Sequence, residues 1–302
     1  MPLFVTLDPR LKKALLFSVL TFVISYLFIA AYFLLGGKWE MPGALVLAVF
    51  YMYMPLLATV ILTKFVYHEE FRRPLQVFFR PNRWFGVALV MPVLLAILTV
   101  PISLLIPSIH FSPEMAGMVE RFSNMLTPVQ LRELQQQIVS SPLHPFWIGV
   151  LQSLIVGPTI NALAAFGEEA GWRGFLLKNV LHLGFWRASA IVGIIWGFWH
   201  APLILLGHNY PEHPLAGVFM MVGWTVLLSP LLTFVTMKAR SVIAASIFHG
   251  TLNASAGLAI MVIVGGSDLT AGLTGLAGFI TLGIFNLALL LFYRKDLQAF
   301  AV

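Results

Sequence analysis

The chain has 302 residues, of which 59% are hydrophobic and only 10% charged, and its formal net charge is +6. Soluble domains are about 45–50% apolar and about 25% charged, so this composition indicates a polytopic helical membrane protein. The basic residues lie in short loops between apolar runs, which is typical of membrane topology rather than of nucleic-acid binding. The absence of cysteine excludes disulfides, thiolate metal sites and a cysteine nucleophile.

Apolar runs long enough to cross a bilayer core, which takes roughly 20 helical residues, recur along the whole chain. The first run, from Ala14, is too long for a cleavable signal peptide and lacks a small-residue cleavage site. The sequence therefore predicts an all-α fold, a single integral membrane domain over residues 1–302 with about eight transmembrane helices. The eight predicted spans are 14–36, 43–63, 86–106, 146–170, 188–206, 215–237, 242–265 and 272–292.

The lysines and arginines are unevenly distributed between the loops on the two sides of these spans. Fifteen of the 18 fall on one side, and only Lys38, Arg121 and Arg132 fall on the other. Because short cytoplasmic loops are enriched in Lys and Arg, both termini are predicted to be cytoplasmic.

Two segments are not apolar enough to span. Residues 66–84 mix basic and aromatic side chains on the predicted cytoplasmic side, a composition suited to the membrane interface. Residues 112–139, on the predicted outer side, carry apolar residues at helical spacing, Met115, Met118 and Met125 among them. Two interpretations of this segment stay open with equal weight: covering helices that pack on the bundle, and a role in substrate binding.

Ionisable side chains are concentrated in three of the predicted spans. Such residues are costly in a bilayer, usually face the interior of the bundle and mark function. The fourth span ends in two glutamates followed by an arginine, the fifth carries a histidine, and the seventh carries a histidine and an asparagine. These residues are Glu168, Glu169, Arg173, His200, His249 and Asn253.

Helical geometry assigns these side chains to faces. Glu169 and Arg173 are four residues apart and can form an ion pair within one helix. Glu168 is rotated by about 100° from Glu169, so it remains available for another role. His249 and Asn253 are also four residues apart and point the same way. A structural ion pair or a helix–helix hydrogen bond would explain each motif separately. Neither explains why the motifs lie at compatible depths in the membrane.

The predicted depths of the motifs agree. At 1.5 Å per residue, His249 lies about 10 Å and His200 about 18 Å from the cytoplasmic ends of their spans. Glu168 lies near the cytoplasmic end of the fourth span. The sequence therefore predicts one polar intramembrane cavity that opens to the cytoplasm.

The chemistry of this set suits hydrolysis of an amide bond. A carboxylate and a histidine can bind and deprotonate a water molecule. A second histidine with an asparagine amide can supply the donors of an oxyanion hole. The motifs Gly-x-Ser-x-Gly and His-Glu-x-x-His are absent, so neither a serine hydrolase nor a zincin is indicated.

The order Glu168-Glu169-x-x-x-Arg173, His200, His249-x-x-x-Asn253 resembles the CAAX prenyl endopeptidase family of intramembrane glutamate-type proteases, also called the CPBP or ABI family. The motifs cover residues 168–253, and the catalytic core helices are expected at about 146–265. The sequence departs from the family at Trp196, where Phe is usual.

The resemblance implies a role for each residue. Glu168 and His200 would activate water, while His249 and Asn253 would stabilise the oxyanion. Glu169, Arg173 and Trp196 would support them. No cofactor is expected, and the minority interpretation is a zinc site formed by Glu168, His200 and His249.

The resemblance also implies the partners and the location. The expected substrate is a prenylated CAAX protein or another membrane-associated peptide. Membrane lipid is the other expected partner, and no nucleic acid is expected to bind. The expected location is a prokaryotic cell membrane. The competing interpretations are a proton-coupled transporter that uses Glu168, His200 and His249 as a relay, and a non-catalytic membrane scaffold.

Overall fold

The computed structural model of the protein describes residues 8–39, 42–122 and 127–300. Within these ranges, six helices are long and apolar enough to cross a bilayer, and two shorter apolar helices take the places of the fifth and eighth predicted spans. The predicted all-α, multi-span membrane fold is therefore confirmed. These eight helices are called the first to the eighth span, in chain order. They are Pro9–Leu34, Gly43–Val66, Arg83–Ser103, Pro145–Leu183, Phe185–Trp199, Pro214–Ala239, Val242–Met261 and Leu276–Phe292.

Three of the spans are built from successive helical pieces, some of them π-helical. The second consists of Gly43–Met52, Met54–Val60 and the π-helix Ile61–Val66, and the seventh of Val242–Ser255 and Leu258–Met261. The fourth consists of Pro145–Val156, the π-helix Gly157–Asn161, Ala162–Glu169, the π-helix Ala170–Leu176, Leu177–Val180 and the 3-10 turn Leu181–Leu183. Short π-helical insertions are rare and frequent at functional sites. The second insertion in the fourth span begins directly after Glu169.

The remaining elements are short. Two strands, Ile109–Phe111 and Ile263–Gly265, pair antiparallel, with Ile109 opposite Gly265. The short helices are Ala116–Phe122, Pro128–Ser140, Ala201–Leu205 and Arg294–Ala299.

The predicted end of the seventh span at residue 265 is wrong. The helix ends at Met261, and residues 263–265 form a strand instead. Gly265 and Gly266 have φ angles of 83° and 69°, which glycine adopts readily and which a helix does not contain.

The predicted end of the fourth span at residue 170 is also wrong, because the helical path continues to Leu183. No proline interrupts residues 171–183, and the buried side chains of Trp172 and Leu176 anchor the extra turns in the core. Gly184, with a φ of 97°, then ends the helix. Glu168 and Glu169 consequently lie well inside a long helix rather than at its end.

The fifth span, predicted as 188–206, is interrupted at His200. Its long helix ends at Trp199, and a separate helix, Ala201–Leu205, follows. Pro202 explains the break, because it has no N–H to donate to the preceding turn.

The outer segment only partly covers the bundle. Ala116–Phe122 packs on the second strand so closely that a Cβ on Gly117 would lie 2.1 Å from the carbonyl oxygen of Ile263. Pro128–Ser140 fully buries none of its residues, so this helix contributes little to the cover of the bundle. Met125 lies outside the described residues.

The loops predicted to be cytoplasmic lie together at one end of the bundle. Lys13 pairs with Glu69, which joins the first span to the loop after the second. Lys238 pairs with Asp296, which joins the end of the sixth span to the helix after the eighth. The structure thus groups these loops as the alternation of spans requires, and their cytoplasmic side stays a prediction.

Candidate functional site

Close packing of the fourth and seventh spans sets the position of the seventh-span histidine. A Cβ on Gly250 would lie 2.4 Å from the carbonyl oxygen of Gly157, and one on Gly157 would lie 2.6 Å from Cα of Thr251. Glycine lets the two backbones approach where any side chain would separate them. Because Gly250 follows His249 directly, this contact holds His249 against the fourth span.

Glu169 is the residue at which the fourth and seventh spans are joined by polar contacts. Its Oε1 atom accepts a hydrogen bond from Nη1 of Arg173 at 3.1 Å and another from Nδ1 of His249 at 2.8 Å. The side chains of Glu169 and Arg173 are both fully buried. The ion pair predicted from the four-residue spacing is therefore present, and it extends to a histidine 80 residues away.

Arg173 makes two further contacts with other spans. Its Nη2 atom donates to Oγ of Ser229, in the sixth span, at 3.1 Å. Its guanidinium lies over the ring of Trp196, in the fifth span, 4.3 Å from the centroid. Ser229 is not predicted from the sequence, because serine in an apolar helix commonly bonds its own backbone and gives no sign of a partner.

Glu168 is held by two indole groups. Its Oε2 atom accepts a hydrogen bond from Nε1 of Trp196 at 2.6 Å and a longer one from Nε1 of Trp172 at 3.4 Å. The residue is only 2% exposed. Trp196 was predicted as a supporting residue, whereas Trp172 was missed. The four-residue spacing of Glu168 and Trp172 was the available signal for that contact.

His200 is positioned by the helix break and by aromatic neighbours. It is half-buried, and its Nδ1 atom lies 2.8 Å from the carbonyl oxygen of Trp196. Its ring meets that of Trp199 edge-on with centroids 5.0 Å apart. Tyr51 in turn stacks on Trp199 and donates its hydroxyl to the Trp199 carbonyl at 2.6 Å. Tyr51, in the second span, thus fixes the end of the fifth span, where His200 follows.

The partners of the two histidines define which ring nitrogen carries a proton. A carbonyl oxygen and a carboxylate oxygen can only accept hydrogen bonds here, so Nδ1 is the donor in both His200 and His249. The Nε2 atoms of both rings make no hydrogen bond within the described ranges. Both histidines therefore present Nε2 to a ligand.

Asn253 stands apart from this network. It is exposed, it lies one turn beyond His249 on the same helix, and its side chain makes no hydrogen bond within the part of the chain that the structure describes. Among the described residues, hydrogen bonds therefore join Glu169 to His249 and Glu168 to Trp196, the Trp196 carbonyl binds His200, and the Asn253 amide has no protein partner.

The minority zinc interpretation does not fit this arrangement. A zinc ion needs its ligand atoms to converge on one point. Glu168, His200 and His249 do not form such a group, although all three belong to the described residues. In addition, Oε2 of Glu168 already accepts hydrogen bonds from indole donors.

Among the described residues, one group of three side chains does place its ligand atoms within 4.8 Å of one another: Glu212, His213 and Asp268. Oδ1 of Asp268 accepts from Nδ1 of His213 at 2.6 Å, and its Oδ2 accepts from the backbone N–H of Glu212 at 2.7 Å. These bonds connect the start of the sixth span to the loop before the eighth. A structural role therefore accounts for this cluster.

The part of the chain that carries the residues of the three motifs is similar in sequence to known proteins. Residues 146–255 match the family described as Type II CAAX prenyl endopeptidase Rce1-like. The CAAX prenyl protease 2 of Methanococcus maripaludis is 35% identical over 98 residues, which are 30% of this chain and 36% of the length of that protein. For residues 146–255, the two matches confirm the resemblance to the CAAX prenyl endopeptidase family that the motifs indicate.

Proposed function

We propose that the protein is an intramembrane endopeptidase that hydrolyses a peptide bond of prenylated CAAX-type or other membrane-associated substrates. The observation that carries this proposal is the set of buried hydrogen bonds that tie the two glutamates of the fourth span to the fifth and seventh spans. Glu168 accepts from Trp196 in the fifth span, and Glu169 accepts from His249 in the seventh. Buried ionised groups are costly in a bilayer, so a network of this size is expected where function requires it. The match with CAAX prenyl endopeptidases supports the peptide substrate.

Glu168 is the proposed base. Its Oε2 atom is occupied by indole donors, whereas Oε1 accepts no hydrogen bond from the described residues. In the proposed reaction, Oε1 takes a proton from a water molecule that Nε2 of His200 orients by accepting its second hydrogen bond. The water oxygen then attacks the carbonyl carbon of the scissile bond.

His249 and Asn253 are the proposed donors to the oxyanion that this attack creates. The amide N–H group of Asn253 donates to none of the described residues, and His249 lies one turn before it. When the tetrahedral intermediate collapses, the carbon–nitrogen bond breaks, and the leaving amine takes the proton from Glu168. Donors that are already oriented towards the developing charge need no reorganisation during the reaction.

Charge balance explains how His249 can serve as a donor. The N–H group at Nδ1 of His249 already donates a hydrogen bond to Glu169. A second proton, on Nε2, makes the ring an imidazolium. The positive charges of His249 and Arg173 then balance the negative charges of Glu168 and Glu169. A buried site with no net charge has a smaller desolvation cost than one with an unbalanced carboxylate. We therefore assign His249 the role of a cationic donor.

Peptide cleavage by the purified protein tests the proposal. Wild type and Glu168→Gln, purified in detergent, are incubated with a farnesylated CAAX peptide and with the same peptide without the lipid. We expect cleavage of the lipidated peptide by wild type and none by Glu168→Gln. If folded wild type cleaves neither peptide but carries protons across the membrane of a liposome, the relay interpretation replaces this proposal.

A further inference from the structure

The hydrogen bonds of Glu168 are unevenly distributed between its two carboxylate oxygens. Oε2 accepts from Trp196 at 2.6 Å and from Trp172 at 3.4 Å. Oε1 accepts none from the described residues. Oε2 of Glu169 is fully buried and has no hydrogen-bond partner among the described residues. Oε1 of Glu168 is not enclosed in this way and borders accessible space. The two indoles therefore bind Oε2 and leave Oε1 open to the accessible space.

Trp196 and Trp172 reach Glu168 from different directions. Trp172 lies one turn further along the fourth span, whereas Trp196 belongs to the fifth span and is 28 residues away from Glu168. Both tryptophans are buried, at 1% exposure or less. Two donors on one oxygen, from two helices, remove the rotational freedom of a carboxylate that a single bond would leave.

We infer that Trp196 and Trp172 are positioning residues of the proposed hydrolysis, because their indole N–H groups direct Oε1 of Glu168, and not Oε2, towards the reacting water. Here Trp196 and Trp172 are called the indole donor pair. This inference rests on the proposed function. A carboxylate that already accepts two hydrogen bonds through one oxygen has only the other oxygen available for a proton.

The aromatic ring of Trp196 has other contacts that a test must preserve. Arg173 lies over this ring, and His249 meets it edge-on with centroids 5.4 Å apart. Trp196→Phe keeps an aromatic ring at this position, while it removes the N–H donor and the second ring of the indole. Trp172→Phe does the same for the second member of the pair.

Steady-state kinetics separate positioning from packing. We expect Trp196→Phe to lower kcat by about 10–100-fold with KM changed by less than about 2-fold, because a misdirected carboxylate slows the chemistry and not the binding. Trp172→Phe should lower kcat less, since its bond is longer. Trp224→Phe is the matched control, because this buried indole donates to the carbonyl of Leu273 and not to Glu168. A kcat for Trp196→Phe equal to that of Trp224→Phe would overturn the inference.

A thermal unfolding cycle tests the same bond without peptidase activity. Trp196→Phe is expected to lower the Tm clearly in wild type and much less in a Glu168→Leu background, where no acceptor remains. Equal losses of Tm in both backgrounds would show that Trp196 does not act through Glu168, whatever the activity. If the cycle shows coupling but wild type cleaves no peptide, the proposed function is wrong while the indole donor pair is supported.

Discussion

Nδ1 of His249 lies 2.8 Å from Oε1 of Glu169, the same oxygen that accepts a hydrogen bond from Arg173. The second glutamate of the motif is therefore shared between a cation of its own helix and a histidine of the seventh span. Glu169 thus holds both Arg173 and His249, while Glu168, one residue earlier, faces the indoles of Trp172 and Trp196. The two adjacent glutamates thus have separate partners and, we propose, separate tasks.

Removal of Glu168 should abolish turnover and leave the fold intact. Its hydrogen-bond donors are neutral indoles, so Glu168→Ala breaks no salt bridge and leaves Arg173 paired with Glu169. We expect no detectable cleavage, an elution volume close to that of wild type, and a Tm lowered much less than in Glu169→Ala, because only hydrogen bonds from neutral donors are lost. Wild-type activity in Glu168→Ala would contradict the assignment of Glu168 as the base.

Removal of Glu169 should cost both stability and activity. In Glu169→Ala, Arg173 and His249 lose the carboxylate they share, and breaking a buried ion pair typically costs about 3–5 kcal/mol. We expect a lower yield, a lower Tm in detergent and a lower kcat, measured beside the matched variant Glu133→Ala on the exposed outer helix. A Tm equal to that of Glu133→Ala would show that the network does not stabilise the fold.

Asn253→Ala should lower the chemical rate with little effect on substrate binding. An oxyanion donor acts mainly in the transition state, and removal of one such donor costs about 10²–10³-fold in kcat. Asn286→Ala is the control, because this asparagine donates to the carbonyl oxygens of Leu227 and Leu282 and so has a structural role. If Asn253→Ala raises KM and leaves kcat unchanged, Asn253 binds the substrate and is not part of the oxyanion hole.

Activity should survive removal of metal ions. The ligand atoms of Glu168, His200 and His249 do not converge, so we expect full cleavage in the presence of a zinc chelator. Metal content should be measured in His213→Ala, because Glu212, His213 and Asp268 could retain adventitious zinc in wild type. One zinc per chain in His213→Ala, lost together with activity on chelation and restored with it, would reassign the catalytic residues as ligands.

The loop at 64–85 and both termini should face the cytoplasm. The chain contains no cysteine, so single cysteines report accessibility without background. Both Glu70 and Gln137 are exposed in the structure. In intact cells, we expect a membrane-impermeant thiol reagent to label Gln137→Cys and not Glu70→Cys. The opposite pattern would invert the topology.

Much of the architecture follows from the sequence alone, because hydrophobicity and helical period act over short distances along the chain. The apolar runs predict the spans, and the charged residues within them predict where function lies. The spacing of Glu169 and Arg173 predicts their ion pair. The order of the three motifs predicts the family resemblance.

The tertiary structure decided what depends on residues that are distant in the sequence. The contacts of His249 with Glu169 and of Ser229 with Arg173 arise only when the spans pack, and no periodicity of one helix encodes them. The strand Ile263–Gly265 likewise forms because Ile109–Phe111 offers it a partner, which overrides the apolar pattern of the seventh span. Local spacing determined which side chains share a helix face, and packing between helices determined what those faces meet.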